Sequence, residues 1–327
     1  METRMKSIQK KRILMSPLNW GHGHVTRTVP LIKQLVEQGN EVIIFCDADQ
    51  KKVYLDFFAQ LTFVHSAGYP FHFSGKGKWS WDLLLGFLKL NKRRVRERKE
   101  VLDWVEHYHP DIIISDQRYG FYHKRIKSVF ISHQLTLPVK GLNRLAQILN
   151  YYFIKQFDEV WVPDAERSRL SGKLSSRSAS QKFYLGIHSR FKQSTTEIRP
   201  KKYLAIISGP APYGTQFYNM VFDKLSQVAG SHTIVVPENV VMTKEAIPNI
   251  ELIQAPNPEL FQYLLDQSEV IISRAGYTTL LDLDVTGHRA ILIPTKGQPE
   301  QLYLAKFHAS HPKWKFMTEE QFQSTSL

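Results

Sequence analysis

A single cysteine, Cys46, stands in 327 residues, so no intramolecular disulfide can staple this chain. Its place at the end of Val42-Ile43-Ile44-Phe45 reads as core packing rather than reactivity. No apolar run approaches the length that spans a bilayer, and Met1 to Arg12, though basic, lacks the apolar centre of a signal peptide. The chain is therefore expected to stay in the cytoplasm. Low-complexity tracts and internal repeats are missing as well, which argues against disordered and solenoid classes. Acidic residues are few beside basic ones, 30 against 43, leaving a net charge of +13 that attracts polyanions such as anionic lipid or phosphorylated substrates.

What is present is the composition of an ordered globular protein, 43% hydrophobic and 22% charged, on a chain long enough for two domains. Ile13-Leu14-Met15 reads as a strand running into a glycine-containing turn, Gly21-His22-Gly23-His24. Val25, Val29, Ile32 and Val36 then recur at helical spacing, Gly39-Asn40 supplies a stop, and Val42 to Phe45 begins the next strand. Short unbroken apolar runs follow at 112–114, 129–131 and 160–162, the pattern of strands buried on both faces of a parallel sheet. Residues 171–199 turn polar and Ser/Lys/Arg-rich, as a connection between lobes does. A second series of strands opens at Leu204 to Ile207 and continues through 233–236, 252–253, 270–272 and 290–293. The reading is an α/β chain of two tandem Rossmann-like, doubly wound domains, 1–190 and 191–327, with functional residues in the loops after the strands.

Those loops carry candidates, each with a plain structural alternative. His24 fits a general base, because neutral imidazole has a suitable pKa and a short strand-to-helix loop places it rigidly; it also fits a turn histidine bonded locally. Asp116 ends the strand at 112–115 and could orient His24, or cap a helix. Gly21-His22-Gly23 also begins a dinucleotide fingerprint with Asp47 as the ribose ligand, although Thr26 replaces its third glycine. Asp47-Ala48-Asp49 is a weak divalent-cation pattern, and no metal is expected. In Ser273-Arg274-Ala275-Gly276-Tyr277-Thr278-Thr279-Leu280-Leu281-Asp282, a strand, a glycine turn and a helix start follow one another, so unpaired amides and the helix dipole there suit a diphosphate. Asp282 could accept hydrogen bonds from ribose hydroxyls, and Gln298, Glu300 and Gln301 are residue types that grip sugars. Last, Trp79, Trp81, Leu83 to Leu85, Phe87, Leu88 and Leu90 precede six basic residues between Lys92 and Lys99. That segment reads either as a buried helix followed by a solvated basic one, or as a surface for an anionic membrane.

The order of these motifs resembles that of metal-independent, inverting glycosyltransferases of the GT-B fold, nearest to the peptidoglycan N-acetylglucosaminyltransferase (MurG) family and its relatives. The likeness spans most of the chain. It is carried by Gly21-His22-Gly23-His24, Phe130-Ile131-Ser132-His133-Gln134, Gly186-Ile187-His188-Ser189-Arg190, Ser208-Gly209, and above all Ser273 to Asp282 followed by Pro294 to Ala305. It implies two domains facing across a cleft, the first binding the acceptor and the second a nucleotide diphosphate sugar, UDP-linked, as co-substrate without a further cofactor. Hexosyl transfer in making a cell-envelope glycan is implied, to a glycan, lipid-linked or small-molecule acceptor, with the protein peripheral on the inner membrane face and no nucleic acid as partner. His24 takes the place of the base and Asp116 that of its partner in plant-type relatives. Ser208, Gly209, Arg274, Gly276, Tyr277, Thr278, Asp282, Glu300 and Gln301 take the places of donor ligands, Asp282 on the ribose and Glu300-Gln301 on the sugar. The chain departs from the peptidoglycan enzymes in its His-Gly-His turn, in His133 where they have a glutamate, and in Leu302 where they have a second glutamine. The competing activities are a nucleotide-sugar epimerase or hydrolase on the same fold, an NAD(P)-dependent oxidoreductase, and a non-catalytic nucleotide-sugar binder.

Overall fold

A computed structural model describes residues 5, 7–71, 73–138, 144–167, 169–177, 181–193 and 200–327. The chain divides into two compact units: Met1–Phe71 with Leu84–Arg190, and His72–Leu83 with Phe191–Leu327. A division at residue 190 read from composition leaves His72–Leu83 in the first unit; by its contacts the segment groups with the second.

The first unit holds β1 (Arg12–Pro17), β2 (Glu41–Cys46), β3 (Thr62–His65), β4 (Ile112–Asp116), β5 (Lys127–Ile131), β6 (Glu159–Val162) and β7 (Lys182–Tyr184). They form one sheet in the order β3-β2-β1-β4-β5-β6-β7, every neighbouring pair parallel. Between them run α1 (Gly23–Glu37), α2 (Ala48–Leu55), α3 (Trp79–Tyr108) and α4 (Arg144–Ile154). Successive residues of β1 point to opposite faces. Ile13 and Met15 pack with Val25, Val29, Ile32 and Leu35 of α1, whereas Leu14 packs with Phe45, Ile113, Phe121 and Val101 of α3. Both faces are therefore covered, which is why the strands read as continuous apolar runs. The polar stretch expected to be a connection contains β7, which adds to the sheet edge beside β6; residues 178–180 and 194–199 of that stretch lie outside the described residues.

The second unit repeats the plan with β8 (Lys201–Ile206), β9 (His232–Val236), β10 (Ile250–Gln254), β11 (Ser268–Ser273), β12 (Arg289–Leu292) and β13 (Trp314–Phe316). The parallel order is β10-β9-β8-β11-β12-β13. Its helices are α5 (Tyr213–Leu225), α6 (Pro258–Asp266), α7 (Tyr277–Thr286), α8 (Pro299–Phe307) and α9 (Glu319–Ser324). In both sheets the strand order reverses beside the first strand, between β1 and β4 and between β8 and β11. The crevice outside the carboxyl ends of such strands is where doubly wound sheets bind ligands.

Residues 73–79 pack on the second unit's loops and α5. The indole of Trp79 stacks on Tyr213 with ring centroids 5.0 Å apart, and the Gly77 amide donates to the Tyr213 hydroxyl at 2.9 Å. A Cβ on Gly297 would collide with the Gly77 carbonyl, so only backbone fits between them.

Candidate functional site

Residues of the first unit converge at its sheet reversal. Gly21, with φ of +92°, adopts the left-handed conformation that turns the chain from β1 into α1. His24 then falls in the first turn of α1, and Asp116 is the last residue of the neighbouring strand, paired in register with Pro17. His24 Nδ1 lies 3.0 Å from Asp116 Oδ2, with the imidazole 14% exposed and the carboxylate fully buried.

Arg27 joins them from one helical turn beyond His24. Its Nε donates to Asp116 Oδ2 at 3.1 Å and its Nη2 to Asp116 Oδ1, a two-point grip on the carboxylate. The same Nη2 stands 2.9 Å from His24 Nδ1, and Nη1 stands 3.3 Å from Nδ1 of His133, which follows β5. Asp116, Arg27 and His133 are buried, so His24 is the member of the group that solvent reaches. Burial alone would push the Asp116 pKa up, but the Arg27 guanidinium and His24 outweigh it and hold the carboxyl below its usual range. The His24 pKa is lowered, first by burial and then by Arg27, against the opposing pull of Asp116. The group presents a neutral imidazole beside a fixed carboxylate, the arrangement that can accept a proton from a hydroxyl.

Arg27 is the member of this group that the sequence reading missed. Its signal was the spacing His24-x-x-Arg27, which puts both side chains on one helix face.

In the second unit the predicted donor residues lie in the loops and helices that follow three adjacent strands, β8, β11 and β12. Ser208 and Gly209 follow β8, Gly209 with φ of +119°. Gly276 caps α7 from an extended conformation, and a Cβ built on it would meet nothing nearer than Thr279 Oγ1 at 3.8 Å. A helix N-terminus of this kind favours anions. Thr278 and Asp282 are half-buried on α7, while Tyr277 is buried in the core. Arg274 does not offer its charge to solvent: its side chain is 3% exposed, bonds Glu319 of α9 at 2.6 Å and lies over the Phe217 ring at 4.2 Å. It braces the loop. Gln298 is the N-cap of α8, accepting from the Gln301 amide at 2.6 Å, and Gln301 Oε1 accepts from Thr295 N at 2.8 Å. Glu300 is half-buried on the first turn of α8.

Asp47, the ribose ligand of the dinucleotide alternative, spends its carboxylate on a capping box with Gln50 at the start of α2. Among the described residues no three His, Cys, Asp or Glu side chains gather as metal ligands.

Residues 248–326 match the glycosyltransferase family 28 C-terminal domain. Among solved structures, the chain is similar to the spinosyn rhamnosyltransferase SpnG complexed with thymidine diphosphate, at 16% identity and a TM-score of 0.63, over 95% of this chain and 90% of that one. It is also similar to UGT89C1 of Arabidopsis thaliana complexed with quercetin, at 13% identity and a TM-score of 0.68, over 96% and 86%. A third similar structure is MurG of Acinetobacter baumannii, at 16% identity and a TM-score of 0.51, over 95% and 86%. No curated protein sequence matches the chain. Two parallel Rossmann-like sheets and these neighbours give the chain the GT-B fold, and the family 28 match covers its last quarter.

Proposed function

We propose that the protein is an inverting, metal-independent glycosyltransferase that moves a hexose or N-acetylhexosamine from a nucleotide diphosphate sugar to an acceptor hydroxyl. The observation that carries this reading is the solvent-reached His24 on buried Asp116 at the first sheet's reversal. His24 removes the hydroxyl proton, the oxygen attacks the anomeric carbon, and the bond from that carbon to the diphosphate breaks with inversion. The first unit serves the acceptor and the second the donor. The α7 N-terminus at Gly276 and the backbone at Ser208-Gly209 stabilise the departing diphosphate. Asp282 holds the ribose, Glu300 and Gln301 the sugar, and Tyr277 and Thr278 shape the loop that Arg274 braces. UDP is the nucleotide implied by the MurG resemblance, whereas SpnG is described with thymidine diphosphate, so the base is decided by experiment.

The test is a thermal-shift panel of UDP, GDP, dTDP, their sugars and NAD(P), with and without EDTA, on wild type and Asp282→Ala. A chelator-insensitive shift with one nucleotide diphosphate, lost in Asp282→Ala, is expected. Stabilisation by NAD(P) alone would replace the reading with an oxidoreductase. Donor consumed without any acceptor would point to an epimerase or hydrolase, and donor bound without turnover to a binding protein.

A second observation favours a lipid-linked acceptor at an anionic, inner-face membrane surface. On α3, Leu84, Leu85 and Leu88 are exposed, the last two at 79%, and Lys89, Lys92, Arg96 and Lys99 on the same helix are solvated. Leu145, Ile148 and Tyr152 form a second exposed apolar stripe on α4. The side chain of Trp81, part of the patch read from sequence, lies outside the described residues. No described helix is long and apolar enough to cross a membrane.

A further inference from the structure

We infer that Arg27 is a positioning residue that keeps the His24 imidazole uncharged, so that the base is ready at a pH where an ordinary histidine would be protonated. This rests on the reading of His24 as the base. A carboxylate beside a histidine normally favours the imidazolium, since the two charges attract. Here Asp116 is already held at two points by Arg27, through Nε at 3.1 Å and through Nη2. Its one negative charge is spoken for. Protonating His24 would set a second cation 2.9 Å from the guanidinium in a group of which three members are buried. Two cations against one anion, shielded from water, are disfavoured relative to the neutral ring.

The nitrogen geometry fixes which form is the base. Nδ1 of a neutral imidazole either donates to Asp116 Oδ2 or accepts from Arg27 Nη2, and it cannot do both with one site. With Nδ1–H on Asp116, Nε2 is the accepting nitrogen, and the charge of a second proton there is what the nearby guanidinium disfavours. The groups facing His24 come from three elements: Arg27 on α1, Asp116 at the end of β4, and His133 after β5. His133, bonded to the same guanidinium, adds no negative charge. Tyr54 of α2, hydrogen-bonded to Thr28 at 2.6 Å, feels the same Arg27 and Asp116 charges and stays protonated because burial raises its pKa. Among the described residues, Asp116 is the group facing the imidazole that offsets Arg27.

The experiment follows the His24 ring by NMR through a pH titration of the histidine-labelled full chain without substrate, with His24→Gln assigning its signals. Wild-type His24 is expected to titrate below the ordinary range, and Arg27→Met to raise its midpoint by about one unit or more. Arg27→Met strips a buried carboxylate of its cation, so Asp116→Asn and Arg27→Met/Asp116→Asn form a second comparison in which no unpaired carboxylate is left. There too, removing Arg27 is expected to raise the midpoint. Turnover by His24→Gln tests the base assignment separately, and sustained transfer in that variant would remove the assignment whatever the titration gives. A His24 midpoint that stays put or falls on losing Arg27 in both backgrounds would overturn the inference.

Discussion

Glu97 and Arg118 form an ion pair of 2.6 Å with both side chains fully buried, and Tyr69 donates its hydroxyl to the same carboxylate. Arg118 also donates to Ser66 Oγ at 3.0 Å and to the Ala67 carbonyl at 2.8 Å, so helix α3, the end of β4 and the chain after β3 meet on one guanidinium. Removing one partner of a buried pair leaves an uncompensated charge. Arg118→Met and Glu97→Gln are each expected to lower the unfolding free energy by about 3–5 kcal/mol. Urea unfolding of both checks this, and the Glu97→Gln/Arg118→Met pair should lose much less than the sum, because it leaves no unpaired charge. A sum that is simply additive would mean the two groups do not act as a unit. Neither residue could be singled out from the sequence: Glu97 sits in a run of charges that reads as solvated surface, and Arg118 lies in a short polar stretch after a strand that reads as an ordinary turn. The same holds for Arg93, expected among the exposed bases and found buried, bonded to Glu100 and the Ala67 carbonyl. The contact of His24 with Asp116 was legible because Asp116 ends an apolar strand and His24 opens the helix after the glycine turn that follows another. Arg27, lying inside a helix, had only its spacing to mark it.

The strands at this scale were legible wherever an apolar run is buried on both faces, as at Ile112 to Ile114. Short, half-buried edge strands such as β7 were not, because Lys182-Phe183-Tyr184 is too brief and mixed to show a period. The segment at 72–83 left no trace either, since it is fixed by backbone meeting backbone at Gly77 and Gly297, which has no side-chain pattern. Helix α3 differs from its expectation in another way. A buried helix followed by a basic one is in fact a single helix of 30 residues with exposed leucines at its start, a run rich in Leu, Lys, Arg and Glu that no proline breaks. Its basic residues divide by face: Arg93 is buried, Arg94 lies 4.5 Å over the Phe153 ring and Arg98 lies 4.3 Å over the Tyr122 ring, whereas Lys92, Arg96 and Lys99 are solvated. The membrane surface proposed above is therefore assigned to the second set. With vesicles containing anionic lipid, charge reversal of Lys92, Arg96 and Lys99 is expected to reduce co-sedimentation in a salt-dependent manner, and Leu85→Asp/Leu88→Asp to reduce it at any salt. Binding that survives both changes would assign the membrane reading to another surface or remove it.

Acid stability of the whole molecule follows from buried titratable groups in both units. His24 is lowered by burial and by Arg27, His123 by burial with Arg98 and Arg125, and His232 by burial with Lys202 and Lys201, the Val228 carbonyl opposing. Each binds a proton more weakly folded than unfolded. Between its folded pKa and the ordinary value of 6.5, the unfolded chain is protonated where the folded chain is not, so stability falls as pH drops through that window. Asp116 acts lower down with the same sign. Its folded pKa lies below 3.8, so its contribution is present above that value and is lost as pH falls through the folded pKa. The net charge of +13 grows as histidines protonate, and repulsion adds in the same direction. The melting temperature is accordingly expected to fall in two stages on acidification, a first below about pH 6.5 carried by the histidines and a second below about pH 4 that includes Asp116. A melting temperature that is flat from neutrality to about pH 5 would mean that these imidazoles titrate as they do in the unfolded chain. His232→Gln separates the units: with its ring bonded to the Val228 carbonyl at 3.1 Å inside the second unit, the variant should flatten the first stage for that unit's transition. The first unit's transition, governed by His24 and His123, should keep its slope.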